Sequence, residues 1–113
     1  MLVGSQSAVT GGASDPYVAA KSALHGWVLS LAARLGPDGV TANLVSPGYT
    51  EGTELVNGRI SIERHEALVA RTALGRPAST SEIASVVRFV SAREASYLTG
   101  QVVAVDGGTL PAG

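Results

Sequence analysis

The chain has 113 residues, of which 45% are hydrophobic and 15% charged, and its formal net charge is −1. This length and apolar content suit one small globular domain with a buried core and exclude a disordered chain. The 8 Lys and Arg residues are scattered singly, so neither a nucleic acid nor a membrane surface is an expected partner. No uncharged apolar run of about 18 residues occurs, which argues against a transmembrane helix.

The chain contains no cysteine, which excludes disulfides, thiolate chemistry and cysteine metal sites. No secretory signal is recognisable at the N-terminus, so a cytoplasmic location is the default expectation. The histidines, His25 and His65, are far apart, and neither has a second ligand at metal spacing. We therefore predict no metal site and treat both histidines as ordinary polar residues.

The first elements in chain order are a strand end, a loop and a long helix. Met1–Val3 is a short apolar run that stops at Gly4-Ser5, and residues 6–14 are small and polar, as in a loop. Asp15 suits the N-cap and Pro16 the first helical position, and Gly36-Pro37 ends the pattern after Leu35. One helix face carries positions 17, 21, 24, 28, 31 and 35, and a second small or apolar row carries 20, 23, 27 and 30. This helix is therefore expected to pack on a sheet and on a partner.

The middle of the chain predicts a strand, a loop and a helix. Val40–Val45 has β-forming composition and is followed by Ser46-Pro47-Gly48, so we predict a central strand that ends there. Residues 49–59 form a long loop that could act as a mobile flap. A helix is predicted over residues 62–73.

The last elements predicted are a helix and a third strand. Ser79 and Glu82 have the spacing of a capping box, and the apolar residues that follow predict a helix through Val90. Gln101–Val105 predicts a third strand, closed by Asp106-Gly107-Gly108. Strands alternating with helices favour a parallel sheet, in which ligands bind beyond the carboxyl ends of the strands, here at Ser5 and Pro47-Gly48.

Tyr17 and Lys21 lie four residues apart at the start of the long helix, so their side chains share one face. A cation close to a phenol favours the phenolate form, which suits the hydroxyl for proton transfer at neutral pH. Taken alone, however, this spacing is more often that of an exposed tyrosine near a solvated lysine. The other tyrosines, Tyr49 and Tyr97, have Thr53 and Gln101 at the same offset, so only Tyr17 has the cation.

This pair is one of five motifs that occur in a fixed order along the chain. They are Ser5, Tyr17-x-x-x-Lys21, Asn43 with Pro47-Gly48, Gly75-Arg76-Pro77, and Gly100-Gln101 leading to Asp106-Gly107-Gly108. With these motifs the chain resembles the short-chain dehydrogenase/reductase family, most of all the branch that includes 3-oxoacyl-carrier-protein reductases. The resemblance covers only the second half of such an enzyme. It implies an α/β fold, with residues 1–113 forming the catalytic, C-terminal half of a doubly wound Rossmann-type sheet of about three parallel strands with flanking helices.

The resemblance implies roles for the catalytic residues. Tyr17 would exchange a proton with the substrate oxygen, Lys21 would support Tyr17 and hold the nicotinamide ribose, and Ser5 would orient the substrate oxygen. Ser5 lies one residue closer to Tyr17 than is usual in the family, so Ser7 is the fallback.

The resemblance also implies a nicotinamide site. Pro47, Gly48 and the backbone of Thr50 would line the ring, beside Tyr17 and Lys21, and Asn43 would be a structural hydrogen-bonding residue. Gly52 stands where the family commonly has a threonine, and Thr53 follows one place later.

By resemblance, the function is an NAD(P)-dependent oxidoreductase that moves a hydride between NAD or NADP and a carbonyl or secondary alcohol, in a homo-oligomer. These residues contain no Gly-rich turn between a strand and a helix, so the dinucleotide-binding half is expected to be absent. The alternative is a truncated, non-catalytic chain that serves only subunit contacts. Neither the substrate nor the choice between NAD and NADP follows from the sequence.

Overall fold

The computed structural model describes residues 1–53 and 58–109. Residues 54–57, inside the predicted flap, and the tail residues 110–113 lie outside the described part. The strands are β1 (Leu2–Val3), β2 (Leu44–Pro47) and β3 (Val102–Val105). The α-helices are α1 (Ser7–Thr10), α2 (Asp15–Leu35), α3 (Ile62–Ala70) and α4 (Thr80–Val90), and short 3₁₀ helices span Gly36–Asp38 and Arg93–Ala95.

The strands form one parallel sheet in the order β1-β2-β3. Leu44 of β2 pairs with Leu2 on one side and with Val102 on the other, so β2 is the central strand, as predicted. Helices connect consecutive strands, which gives the crossover connections that parallel strands require. The predicted α/β fold with about three parallel strands and flanking helices is confirmed.

The core lies between α2 and the sheet. Val28 on α2 is completely buried and packs with Ala42 and Leu44, and the partly buried residues against this cluster are Leu2, Leu24, Leu31 and Ala32. The predicted apolar face of α2 is therefore the face that packs on the sheet. The second row is exposed in the single chain, and Trp27 in that row is 48% exposed.

The loop predicted over residues 6–14 contains the single-turn helix α1. The Gln6 and Ser7 carbonyls accept hydrogen bonds from the N–H groups of Thr10 and Gly11, both at 3.0 Å, and Gly11 then turns with a φ of 68°. The prediction of Asp15 as N-cap is wrong by one residue. Ser14 is extended and precedes the helix, so the Asp15 carboxylate lies in the first turn, where the helix dipole favours negative charge.

The central strand begins at Leu44, later than the predicted Val40, and both side-chain and backbone hydrogen bonds hold the residues just before it. The Ala42 N–H donates to Thr99 Oγ1 at 3.0 Å. The Asn43 side chain donates to the Leu98 carbonyl at 2.7 Å and accepts the Gln101 N–H at 3.2 Å, just before β3 begins at Val102. The prediction that Asn43 is a structural hydrogen-bonding residue is confirmed.

Helix α3 ends at Ala70, three residues before the predicted end. After the helix, the N–H groups of Ala73 and Leu74 donate to the carbonyls of Gly108 and Gly107, at 3.2 and 3.1 Å. These backbone groups therefore hold the segment after β3, and the helix stops shortly before that pairing begins.

Within residues 1–53 and 58–109, no helix is both long and apolar enough to span a membrane.

The predicted capping box at the start of α4 is present. The Ser79 side chain accepts the Glu82 N–H, and the Glu82 carboxylate accepts the Ser79 N–H at 2.9 Å. The same carboxylate pairs with both Arg76 amino groups, at 2.7 and 2.9 Å. These bonds to Arg76 and then to Ser79 lower the pKa of Glu82 from 4.5 to about 2.

We predict an acid-sensitive stability contribution from Glu82. Because the folded-state pKa is lower than the unfolded-state value, the contribution is complete above pH 4.5 and is lost as the pH falls toward 2. The difference in Tm between the wild type and Glu82→Gln should therefore be largest near pH 6 and shrink below pH 4.5. Thermal unfolding followed by circular dichroism between pH 7 and 2 would test this, with Glu94→Gln as the control. A Tm difference independent of pH would contradict it.

Candidate active site

A cleft of about 760 Å³ opens beyond the carboxyl ends of β1 and β2. Its far wall is the apolar side of α4, with Ile83, Ala84 and Val87. The structure brings all the predicted site residues to this one cleft, namely Ser5, Tyr17, Lys21, Pro47, Gly48 and Thr50. Thr53 also lines it, whereas Gly52 does not, so a threonine reaches the cleft despite the shift in sequence.

Tyr17 and Lys21 lie on successive turns of α2 and interact directly. The Lys21 ammonium nitrogen is 5.8 Å from the centre of the Tyr17 ring, within the range of a cation–π contact. The same nitrogen donates a hydrogen bond to the Val3 carbonyl at 3.1 Å. Lys21 therefore bridges the end of β1 and the Tyr17 ring. It is not the fully solvated lysine that the spacing alone would more often indicate.

The Val3 carbonyl points away from β2. Leu2 and Gly4 donate their N–H groups to the Asn43 and Val45 carbonyls, both at 2.8 Å, and alternate residues of a parallel strand face opposite neighbours. Val3 thus belongs to the outer edge of β1, and Lys21 covers its carbonyl there. This hydrogen bond holds the Lys21 ammonium group at the end of β1.

Ser5 follows β1 directly and is half-buried. Its Oγ accepts the Ser7 N–H at 3.2 Å, so the first residue of α1 holds the serine side chain. Ser5 lines both the cleft and a smaller neighbouring cavity, whereas Ser7 lines only the cavity. The position of Ser5 therefore suits a contact with a ligand near Tyr17 better than that of Ser7.

Gly48 lies against the end of β3. A Cβ at this position would be 2.7 Å from the Asp106 Cα and 2.8 Å from the Asp106 Cβ, so no side chain fits. The Asp106 carboxylate accepts hydrogen bonds from the Gln6 side chain and from the Gly108 N–H. Asp106 thereby joins the segments that follow β1 and β3. The sequence analysis placed Asp106 only at the Gly-rich end of the third strand and did not predict these contacts.

Tyr49 and His65 form a contact that the sequence analysis missed. The Tyr49 hydroxyl and His65 Nδ1 are 2.7 Å apart, and the rings are nearly perpendicular, at 71°. Tyr49 lines the cleft, and the pairing of its neighbours Thr50 and Glu51 with Ala78 holds the same segment. His65 thus supports a wall of the cleft, whereas the sequence analysis treated it as an ordinary polar residue.

Residues 2–109 match the family model described as Enoyl-(Acyl carrier protein) reductase, a model of short-chain dehydrogenases/reductases. The chain belongs to the short-chain dehydrogenase/reductase family. The expectation that the sequence motifs raised is therefore confirmed.

Relatives within the family agree with this assignment. The chain is 40% identical over 97 residues to the short-chain reductase protein NovJ of Streptomyces niveus, covering 81% of this chain and 37% of that protein. It is 37% identical over 109 residues to the 3-oxoacyl-[acyl-carrier-protein] reductase FabG of Salmonella typhimurium, covering 96% of this chain and 44% of that protein. The chain thus spans less than half the length of these curated relatives.

A solved structure extends the likeness to three dimensions. The blue fluorescent protein from a metagenomic library, crystallised in complex with NADPH, superposes with a TM-score of 0.85 at 38% identity. The match covers 94% of this chain and 42% of that one. The strands and helices described above are therefore those of the family's Rossmann-type fold.

We predict opposite effects of alanine at two glycines. Gly48→Ala would force the ends of β2 and β3 apart and should lower the free energy of unfolding by about 1–3 kcal/mol. Gly26→Ala, inside α2 with open space around the new methyl group, should raise it by about 0.5–1 kcal/mol. Urea unfolding measures both, and destabilisation of equal size at both positions would contradict the packing argument.

Proposed function

We propose that the chain carries the proton-transfer and nicotinamide-contacting residues of an NAD(P)-dependent oxidoreductase that interconverts a carbonyl compound and a secondary alcohol. The observation that carries the proposal is the convergence of Ser5, Tyr17 and Lys21 on one cleft at the carboxyl ends of β1 and β2. Membership of the family supports it, as does the likeness to a protein crystallised with NADPH.

The residues of the cleft fit a nicotinamide cofactor. The cleft volume of about 760 Å³ is within the usual range for small-molecule sites. Lys21 has three N–H donors, and the bond to Val3 uses one, which leaves donors for ribose hydroxyls. Pro47, Gly48 and the backbone of Thr50, which also line the cleft, would contact the nicotinamide ring.

A bound NADH or NADPH would supply the hydride for the carbonyl carbon. In the reducing direction, the Tyr17 hydroxyl donates its proton to the carbonyl oxygen, so that carbonyl, hydride and proton together give the alcohol. The Lys21 ammonium beside the ring compensates the negative charge left on the Tyr17 oxygen until solvent returns a proton. In the oxidising direction the same groups act in reverse.

Ser5 would orient the substrate oxygen. Its Oγ already accepts the Ser7 N–H, so the serine O–H remains able to donate a hydrogen bond. A donor aimed at the carbonyl oxygen stabilises the negative charge that develops there as the hydride arrives. Ser5 and Tyr17 would then hold one oxygen from two sides.

A second candidate function is a non-catalytic subunit-contact role. The observation that favours it is the exposed outer row of α2, where Trp27 is 48% exposed in the single chain. A chain with only this role would not bind nicotinamide cofactors, so cofactor titration separates the two candidates.

We predict saturable binding of NADH or NADPH to the purified chain. Lys21→Ala should weaken this binding about tenfold, because a charge-assisted hydrogen bond to the ribose is lost. Tyr17→Phe should retain the cofactor but reduce carbonyl turnover by about 10²–10⁴. Nicotinamide fluorescence and absorbance measure the two effects, and Tyr97→Phe, at a fully exposed tyrosine, is the control. No binding at millimolar cofactor would contradict the proposal that these 113 residues bind the cofactor by themselves.

We also predict that Ser5, and not Ser7, contacts the substrate oxygen. Ser5→Ala should lower kcat/KM for carbonyl reduction by about 100-fold, as the loss of one donor to a developing oxyanion does. Ser7→Ala should have a much smaller effect, because Ser7 does not line the cleft. Steady-state kinetics of the two variants decide the matter, and the reverse order of effects would assign the role to Ser7.

A further inference from the structure

Gln6 joins Ser5, the serine proposed to orient the substrate oxygen, to helix α1. The Gln6 N–H donates to the Pro47 carbonyl at 2.9 Å, which continues the hydrogen bonds between β1 and β2 beyond the end of β1. The Gln6 carbonyl accepts the N–H groups of Val9 and Thr10, both at 3.0 Å, and so begins α1. Thr10 Oγ1 donates to the same carbonyl at 3.1 Å. The path of the chain on both sides of Gln6 therefore depends on how this residue is held.

The side chain of Ser5 takes its orientation from α1. Ser5 Oγ accepts the Ser7 N–H at 3.2 Å, and the Ser5 carbonyl accepts the Ala8 N–H at 3.1 Å. A serine side chain without such a partner can occupy three staggered rotamers. The Ser7 N–H favours the rotamer that brings Oγ toward it, so the position of Ser5 Oγ depends on where α1 begins.

Asp106 holds the Gln6 side chain from the far end of the sequence. The Asp106 carboxylate accepts one hydrogen bond from the Gln6 amide and another, at 3.0 Å, from the Gly108 N–H. The Asp106 carbonyl accepts a hydrogen bond from Thr109 Oγ1 at 2.7 Å, and its Cα and Cβ pack against Gly48. Because a carboxylate has only acceptors, Gln6 must turn its NH₂ group toward it. A hydrogen bond to a charged acceptor is also stronger than one between neutral groups.

The influence of Asp106 on the cleft is indirect. Among the described residues, the lining of the cleft includes Ser5 but neither Gln6 nor Asp106. One route from Asp106 to the cleft runs through Gln6 to Ser5. A second route runs through Gly48, which lines the cleft and packs against Asp106. Only the first route requires the Gln6 side chain.

We propose that Asp106 is a positioning residue for Ser5 and that it acts through the Gln6 side chain. This inference rests on the proposed reductase function, because only there does Ser5 orient a substrate oxygen. While Asp106 holds Gln6, the Ser7 N–H stays at Ser5 Oγ, and the serine O–H is left to donate into the cleft. Without the carboxylate, Gln6 loses its side-chain anchor, and Ser5 spreads over further rotamers.

The Ser5 rotamer can be measured without catalysis. In isotope-labelled chain, the three-bond couplings between Hα and the Hβ protons of Ser5 distinguish one staggered rotamer from an average over several. We expect one rotamer in the wild type and in Asp106→Asn, and averaged couplings in Asp106→Ala and Gln6→Ala. Asparagine keeps an acceptor for the Gly108 N–H and can donate its NH₂ group to the Gln6 side-chain oxygen once that amide turns over. Asp38→Ala, at an exposed position in the 3₁₀ helix after α2, is the control.

The same variants separate the two routes. Gln6→Ala leaves the contact between Gly48 and Asp106 in place, so averaged Ser5 couplings in Asp106→Ala alone would indicate the route through Gly48 and overturn the proposal. Wild-type couplings in both alanine variants would also overturn it. If Asp106→Ala fails to fold, Gln6→Glu decides together with Gln6→Ala, because glutamate keeps the length of the side chain but removes its donor.

Carbonyl reduction then separates this proposal from the proposed function. With NADPH and ethyl acetoacetate as the probe, we expect Asp106→Ala and Gln6→Ala each to lower kcat/KM by about threefold to tenfold. In the Ser5→Ala background they should have no further effect. An equal loss in both backgrounds would indicate a general structural effect and overturn the proposal. No reduction by the wild type would refute the proposed function for this chain, and the Ser5 couplings would still decide whether Asp106 positions Ser5.

Discussion

The pairing of β2 with both of its neighbours determines where the site residues lie. Because all strands run parallel, their carboxyl ends meet at one edge of the sheet, and the residues that follow them come together. Ser5 follows β1, Gly48 follows β2 and Asp106 follows β3, although 100 residues lie between the first and the last. The backbone of Gly48 lies so close to Asp106 that even a methyl group at position 48 would collide with it. This close contact favours the observed register of β2 and β3. The cleft is thus a consequence of strand pairing, and α2 adds Tyr17 and Lys21 from one side.

Features that depend on residues close in sequence were predicted well. The capping box of Ser79 and Glu82, the buried face of α2 around Val28 and the Tyr17–Lys21 spacing each involve residues within one or a few helical turns. Their physics is local, so the sequence pattern contains the required information. The motifs that indicated the family also lie in single short segments, which is why residues that the structure brings to the cleft could be named in advance as candidates.

Features that depend on distant partners were missed or misplaced. β2 begins at Leu44 and not at Val40, and the Asn43 side chain before it bonds residues 98 and 101, contacts that no local pattern encodes. Tyr49 and His65 lie 16 positions apart, and a lone histidine gives no signal for its partner. The hydrogen bond from Arg64 to the Gly12 carbonyl was likewise missed, because these residues lie 52 positions apart. Tertiary contact, and not propensity, supplied these parts of the site.

Lys21 links the sheet edge to the proposed chemistry. Its ammonium group bonds the Val3 carbonyl on the side of β1 that faces away from β2, and it also lies beside the Tyr17 ring. A carbonyl oxygen has two lone pairs, so Val3 can accept a further N–H from a strand along this edge while it keeps the lysine. A strand in that position would also cover the polar groups that an edge strand leaves exposed. The position of the cation beside Tyr17 therefore depends on the geometry of β1, and a change at that sheet edge reaches Tyr17, the proposed proton donor, through the Lys21 side chain.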